Sequence, residues 1–128
     1  MQVTGSRQPQ QPVDRHALLE RRMLLFAASV VKKLQKSQQV PARIADQLIR
    51  SASSVGANYA EACNGASRLD FRNKIYIAKK EAAETRFWID LCIEITDDMS
   101  WQELRQEAHE LLVILQTIIN TLKEGSAK

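Results

Sequence analysis

The sequence predicts an all-α protein, an antiparallel four-helix bundle of up-down-up-down topology. Apolar residues recur every three or four positions along four long segments, which is the spacing of a buried stripe on a helix. Glycine (4) and proline (3) are scarce among the 128 residues, and aromatic residues make up only 5%. That composition favours helices over strands. Only a few residues join the segments, so consecutive helices should pack side by side in opposite directions.

Residues 1–13 are predicted to form a disordered arm, and residues 14–125 the four-helix bundle domain. The arm reads MQVTGSRQPQQPV and contains almost nothing to bury, although a vector-derived tag would have a similar composition. Asp14 follows as the cap of a first helix, which KSQQVP ends. The predicted buried stripe of this helix is Leu19, Met23, Phe26, Val30 and Leu34.

A second helix is predicted to begin at Pro41, whose missing N–H is harmless in a first turn. Its stripe is Ile44, Leu48, Val55 and Tyr59, and Gly65 is expected to end it. Within it, SASSVGANYAEACNGAS places Ala52, Gly56 and Ala60 four residues apart, as it does Ser53 and Ala57. One side of the helix therefore carries little bulk, and a neighbouring backbone can approach closely. Tight packing within one bundle and contact between subunits both explain this pattern.

The third and fourth helices each follow a predicted capping box. Ser67 with Asp70 opens the third helix, and Ser100 with Glu103 opens the fourth. The third stripe is Phe71, Ile75, Ala78, Ala82, Thr85, Ile89 and Cys92. The fourth is Trp101, Leu104, Ala108, Leu111, Leu115, Ile118 and Leu122, with Gly125 expected to end the helix.

Two of these helices are apolar around most of their circumference. Residues 111–115 read LLVIL and residues 23–31 read MLLFAASVV, whereas a surface helix in a monomeric bundle needs a single apolar stripe. Such surplus apolar surface is typical of contact with another chain. The sequence therefore predicts a homo-oligomer.

Motifs for catalysis, metal binding or cofactor binding are not apparent, so no catalytic residue, metal site, cofactor or small-molecule substrate is predicted. Glu81 and Glu84 are interpreted as a solvated face rather than an acid–base pair. Asn58 and Glu61 are interpreted as a buried structural hydrogen-bond network. His16 and His109 lack neighbours at ligand spacing.

The expected compartment is the cytoplasm, with no membrane contact. The longest nearly apolar run is too short to span a bilayer, and no secretion signal opens the chain. Cys63 and Cys92 should lie far apart in the second helical hairpin, so they should remain reduced.

Positive charge collects at one end of the predicted bundle and negative charge at the other. The third helix is the main source: its beginning is basic, whereas Asp90, Glu94 and Asp97 follow near its end. This order opposes the helix dipole, which suggests that the charges serve another purpose, such as binding a phosphate backbone. Solvated charges or end-to-end pairing of subunits would also explain it. The predicted nucleic-acid-binding residues, here called the basic pole, are Arg68, Arg72, Lys74, Lys79 and Lys80.

Two segments carry a resemblance to a known family. They are QLIRSASSVGANYAEACNGAS and DFRNKIYIAKKEAAETRFWIDLC, and they resemble the four helix bundle proteins also called 23S rRNA-intervening sequence proteins. The matching residues are Gln47, Leu48, Arg50, Ala52, Ser54, Val55, Ala57, Asn58, Tyr59, Glu61, Asp70, Phe71, Lys80, Glu81, Ala82, Glu84, Thr85 and Phe87 or Trp88.

This resemblance implies a cytoplasmic bacterial bundle without catalytic residues. Some relatives are encoded within insertions of large-subunit rRNA genes. Others are similar to the accessory protein of diversity-generating retroelements, a basic homopentamer that binds a reverse transcriptase and RNA. The leading hypothesis is thus a non-enzymatic homo-oligomeric scaffold, pentameric by resemblance, that contacts structured RNA or a reverse transcriptase through the basic pole. A purely structural oligomer with protein partners alone is the alternative.

Overall fold

The computed structural model describes residues 14–127, which form four helices. These are α1 (Arg15–Lys36), α2 (Ala42–Cys63), α3 (Arg68–Thr96) and α4 (Gln102–Ala127). A short 3-10 turn, Met99–Trp101, precedes α4. The prediction of an all-α four-helix bundle is confirmed, whereas the predicted arm, residues 1–13, lies outside the described residues.

Contacts between side chains give the direction of each helix. His16, at the start of α1, is hydrogen-bonded to Tyr59, near the end of α2. Lys74, early in α3, pairs with Glu61, late in α2. Helices α1 and α4 pack against each other as well and close the bundle. Consecutive helices therefore run antiparallel, as predicted.

Two of the predicted helix starts are confirmed by hydrogen bonds to the cap. The Ala17 N–H donates to Asp14 Oδ1 at 3.1 Å, and the Asp70 N–H donates to Ser67 Oγ at 3.0 Å. Each side chain thereby satisfies a backbone donor that has no partner within its helix.

The predicted start of the fourth helix is wrong. The Ser100 N–H and hydroxyl both donate to Asp98 Oδ1, at 2.9 and 2.6 Å. Asp98 therefore caps the 3-10 turn, and Ser100 is inside the turn rather than at the cap. A carboxylate two residues upstream is the stronger acceptor for the free N–H groups, because it is charged.

Of the two helix ends predicted at glycine, the one at Gly125 is wrong, whereas α2 does end immediately before Gly65. Helix α4 continues through Gly125 to Ala127. Helix α2 ends at Cys63, and Asn64 follows as its cap with φ −106°. Among the described residues no glycine has a positive φ, so neither Gly65 nor Gly125 supplies the left-handed turn that favours glycine at a helix end.

The core lies between the four predicted stripes. Its fully buried large side chains include Met23, Leu48, Tyr59, Ile75, Ile89, Trp101, Leu111 and Leu115. The prediction fails near the end of α4, where Ile119 is buried and Ile118 is half-buried. The stripe there advances by four residues from Leu115 rather than by three, and both steps keep a residue on the same helix face.

The small residues of α2 allow α1 to approach closely. A Cβ atom at Gly56 would lie 3.1 Å from Met23 Cβ and 3.6 Å from the Met23 carbonyl carbon. Ala52 is buried in the core, whereas Ser53 and Ala57 are exposed beside this contact. Tight packing within the bundle therefore accounts for Gly56 and Ala52.

Large apolar side chains remain exposed on three helices, and two of these, α1 and α4, contain the broad apolar runs. On α1 they include Leu18, Leu24 and Leu25; on α4, Val113 is half exposed. Helix α3 exposes Phe87 opposite its buried stripe. The four buried stripes are enough to form the core of the bundle, and these further apolar side chains remain in contact with solvent.

Candidate nucleic-acid interface

The basic pole occupies the first half of α3. Its five residues lie between positions 68 and 80 of one helix, which is about 18 Å of helix length at about 1.5 Å per residue. Helical spacing divides them among three directions. Arg68, Arg72 and Lys79 share one side of the helix, and Lys74 lies on another. Lys80 lies on a third side and is exposed.

Lys74 is partly neutralised by an acid of the neighbouring helix. Its Nζ lies 3.2 Å from Glu61 Oε1. The prediction that Glu61 and Asn58 form a buried network is therefore wrong: Glu61 is exposed, and Asn58 Nδ2 donates to the Ser54 carbonyl of its own helix at 2.8 Å. Lys74 is consequently the weakest candidate of the five for phosphate contact.

Arg68 and Arg72 lie at the edge where α3 meets the end of α4. Together with Leu69 and Leu122 they line a depression of about 190 Å³. The Arg72 guanidinium lies 5.9 Å from the centre of the Tyr76 ring. Burial would raise the pKa of Tyr76, but Arg72 and Lys123 together lower it.

Lys123 is a basic residue of this edge that the sequence analysis missed. It lies on α4, yet it interacts with Tyr76 of α3. The antiparallel topology could have predicted the position of Lys123, because the end of α4 must lie beside the beginning of α3. The structure thus brings Arg68, Arg72 and Lys123 together.

Lys79 and Lys80 complete the basic surface further along α3. Within residues 14–127, neither of these lysines forms a salt bridge. An ammonium group without a salt bridge can bind an external anion without giving up a partner in the protein. Both lysines are therefore stronger candidates for phosphate contact than Lys74.

Glu81 and Glu84 are not the solvated face that was predicted. Arg50 of α2 forms salt bridges with both carboxylates, at 3.2 Å to Glu81 and at short range to Glu84. Behind them, Thr85 and Ser51 hydroxyls are hydrogen-bonded at 2.9 Å and fully buried. Several residues of the resemblance motif therefore serve to fix α2 against α3.

Glu84 is held as a carboxylate rather than as a general acid. The Trp88 N–H donates to Glu84 Oε2 at 2.9 Å, and this bond, with Arg50, holds the pKa of Glu84 below its ordinary value. A carboxyl group that is ionised at neutral pH and already paired has no proton to donate.

This shift predicts a pH dependence of stability. A lowered folded-state pKa means that Glu84 stabilises the fold above its ordinary pKa of about 4.5 and stops doing so as the pH falls through the lowered value. The wild-type protein should lose unfolding free energy between about pH 5 and pH 3, and Glu84→Gln should lose less. The difference should be only a few tenths of a kcal/mol, because solvent screens this half-exposed pair. Urea denaturation at each pH measures the effect. Glu124→Gln, an exposed control, should have the same pH profile as the wild type. If Glu84→Gln also had that profile, the stabilising role of the Glu84 carboxylate would be contradicted.

The histidines and cysteines are dispersed. In the described part of the chain, no three His, Cys, Asp or Glu side chains are grouped so that they could hold a metal ion. His16 Nδ1 and the Tyr59 hydroxyl are 2.5 Å apart, and His109 Nδ1 lies 2.8 Å from Arg86. Cys63 and Cys92 are both free, and burial raises the pKa of Cys92 to about 11. None of the helices between residues 14 and 127 has the length and hydropathy needed to cross a membrane.

Comparison with known proteins identifies a family and related solved structures. A family profile described as 23S rRNA-intervening sequence protein matches residues 20–117. A crystal structure from Bacteroides thetaiotaomicron VPI-5482, of a protein with unknown function from the S23 ribosomal protein family, is 31% identical. The alignment covers 84% of this chain and 99% of that chain, with a TM-score of 0.75. Curated proteins give no significant match.

Proposed function

Because the chain belongs to the family of 23S rRNA-intervening sequence proteins, we propose that it is a non-enzymatic homo-oligomeric scaffold that binds structured RNA through its basic pole. Neither the matched family nor the Bacteroides relative is described by an enzymatic activity. The resemblance implies five subunits and a reverse transcriptase as a further partner. Such an RNA-handling enzyme would approach the same end of the bundle as the RNA.

The observation that carries this proposal is the group of cations at one end of the bundle. Arg68, Arg72 and Lys123 lie together at the α3–α4 edge, Lys79 extends this surface along the same side of α3, and Lys80 lies on another side of the helix. Arg68 lies in the first turn of α3, at the positive end of the helix dipole, where repulsion of a cation works against helix stability. A phosphate backbone across this surface would offset that repulsion and would release its own counterions.

The composition of the surface favours recognition of shape and phosphate rather than of base sequence. Base stacking needs exposed aromatic rings, and the aromatic side chain beside these cations, Tyr76, already lies against Arg72. In a closed oligomer the same surface would be repeated once per subunit. Repetition would raise the affinity for a folded RNA that reaches several copies at once.

A salt series of RNA binding tests the proposal. If about five cations each contact one phosphate, raising the salt from about 50 to about 200 mM should weaken binding about 500-fold. Arg72→Glu combined with Lys79→Glu should weaken binding at each salt concentration and lower the slope of log affinity against log salt by about two. Fluorescence anisotropy with a labelled structured RNA measures both quantities.

The control carries the same change of net charge at the other end of the bundle. Lys36→Glu combined with Arg43→Glu alters two exposed cations there and should change the slope little. Equal loss for the two double variants would mean that net charge alone governs binding, which contradicts a specific surface. No retained RNA at low salt would exclude the RNA role and favour the purely structural oligomer.

A further inference from the structure

The outer face of α3 carries an exposed aromatic side chain in a fixed position. Phe87 is 60% exposed. Its ring packs edge-on against Trp88, with centroids 5.3 Å apart and an interplanar angle of 74°. Trp88 is in turn held by its hydrogen bond to Glu84. A large apolar group that is ordered before contact loses little entropy when a partner covers it, which is a property of binding anchors.

A groove suited to such a side chain lies elsewhere on the same bundle, between α1 and α4. Its volume is about 410 Å³. The apolar lining is Leu18, Leu25, Phe26 and Leu104, of which Leu18 and Leu25 are 60% and 50% exposed. On its rim, Arg22 binds Glu107 at 2.7 Å and Glu110 at 3.2 Å. These bonds join α1 to α4 across the groove. Phe26 is buried at its floor, whereas Leu18 and Leu25 are left uncovered by residues 14–127.

Charges flank the aromatic ring and the groove at matching distances. Glu94 lies seven residues after Phe87 on α3, and Lys32 lies seven residues after Leu25 on α1. Seven residues are about two helical turns, so each charge is on the same helix face as its apolar neighbour and about 10.5 Å beyond it. Both charged side chains are exposed, and neither forms a salt bridge within residues 14–127.

The direction of the helices makes this match usable between two copies. Helices α1 and α3 run the same way in the bundle, because each is antiparallel to α2. If α3 of one copy lies along α1 of another with the bundle axes parallel, Phe87 reaches Leu25 and Glu94 reaches Lys32 in a single register. One alignment thereby satisfies the apolar and the charged pair together.

We infer that the occupant of the α1–α4 groove is Phe87 of a second copy of this chain, with Glu94 of that copy beside Lys32. The inference rests on the homo-oligomer proposed above and names its interface. In this contact Phe87 and the α1–α4 groove cover each other. A partner of different sequence would need one surface that fits Phe87 and another that fits the groove. The contact joins two different faces, so each copy can bind two neighbours, and the series closes as a ring when the rotation between copies allows it.

The rival arrangement pairs α3 with itself. Lys80, Phe87 and Glu94 are spaced by seven residues, so two antiparallel α3 helices could place Phe87 against Phe87 and Lys80 against Glu94. That contact would be isologous and would stop at a dimer. It would leave the α1–α4 groove open, and it predicts a different cross-linking result.

Cross-linking decides between the two arrangements in the full-length chain with Cys63→Ser. Copies carrying Phe87→Cys are mixed with copies carrying Leu25→Cys and oxidised under mild conditions. We expect a disulfide-linked dimer in the mixture and little from either variant alone. A dimer from Phe87→Cys alone would overturn the inference in favour of the isologous pair, and no dimer in any sample from an assembled protein would overturn it as well.

Sedimentation velocity adds a measurement that needs no new cysteine. Phe87→Glu should weaken association at least about 30-fold, as expected for a central anchor, whereas Met99→Glu, an equally exposed control at 61%, should leave it unchanged. Lys32→Glu and Glu94→Lys should each weaken association by up to about fivefold, and their combination should restore it. If Phe87→Glu assembles as the wild type does, this interface is wrong while the oligomer stands; if the wild-type chain is a monomer at micromolar concentration, the proposed oligomer itself fails.

Discussion

Replacing Trp101 by alanine should lower the free energy of unfolding by about 3–5 kcal/mol, the largest single-site effect that we expect in this chain. Trp101 is completely buried at the corner where the 3-10 turn leads into α4. It is the largest buried side chain, and its ring also lies 5.0 Å below the Lys33 ammonium group. Alanine would leave a cavity between α1, α3 and α4 that a helix end cannot easily collapse to fill.

Trp101→Phe separates the packing of the ring from its polar group. Trp101 Nε1 has no hydrogen-bond partner among the described residues, so phenylalanine removes no hydrogen bond within the protein and keeps most of the aromatic contact. We expect it to cost less than half as much as Trp101→Ala. Chemical denaturation at one fixed protein concentration measures both, since self-association would add a concentration-dependent term. If Trp101→Ala lowered the free energy of unfolding by less than about 1 kcal/mol, the complete burial of Trp101 would be contradicted.

The sequence predicts the bundle because every local signal points to the same architecture. In α3, all predicted stripe residues except the half-buried Phe71 are fully buried, and Ser67 caps the helix as expected. Where two signals compete, the prediction fails. Asp98 and Ser100 are both good cap residues, and Asp98 accepts the hydrogen bonds in the turn between α3 and α4 because its carboxylate is the stronger acceptor.

The candidate site was predictable in charge but not in detail. Sequence places Arg68, Arg72, Lys74, Lys79 and Lys80 on one helix, yet it does not show which acid lies opposite each of them. Glu61 removes Lys74 from the strongest candidates, and Lys123 joins from another helix. Likewise, the sequence predicts that Glu81 and Glu84 are solvated, but Arg50 of α2 forms salt bridges with both. Pairing across helices depends on their rotation and register, which periodicity alone does not determine.

Gly56 should tolerate alanine but not valine. The alanine Cβ would meet Met23 Cβ at 3.1 Å, so α1 must move by a few tenths of an ångström. Against this strain stands the higher helix propensity of alanine, worth about 1 kcal/mol over glycine. The two effects oppose each other, and we expect Gly56→Ala to stay within about 1 kcal/mol of the wild type.

Valine adds two branches at the point where α1 comes closest. Met23 is completely buried and cannot withdraw, and valine in a helix has essentially one favoured χ1 rotamer, so it cannot turn both branches away from α1. The α1–α2 contact must open, which should cost about 2–3 kcal/mol, at the upper end of the usual range for overpacking. Thermal and urea denaturation of the two variants should therefore differ clearly, although they differ only by two methyl groups. If Gly56→Val were as stable as Gly56→Ala, close approach of the two backbones could not be the reason for glycine here, and the small side chains of α2 would have to serve a surface outside the bundle.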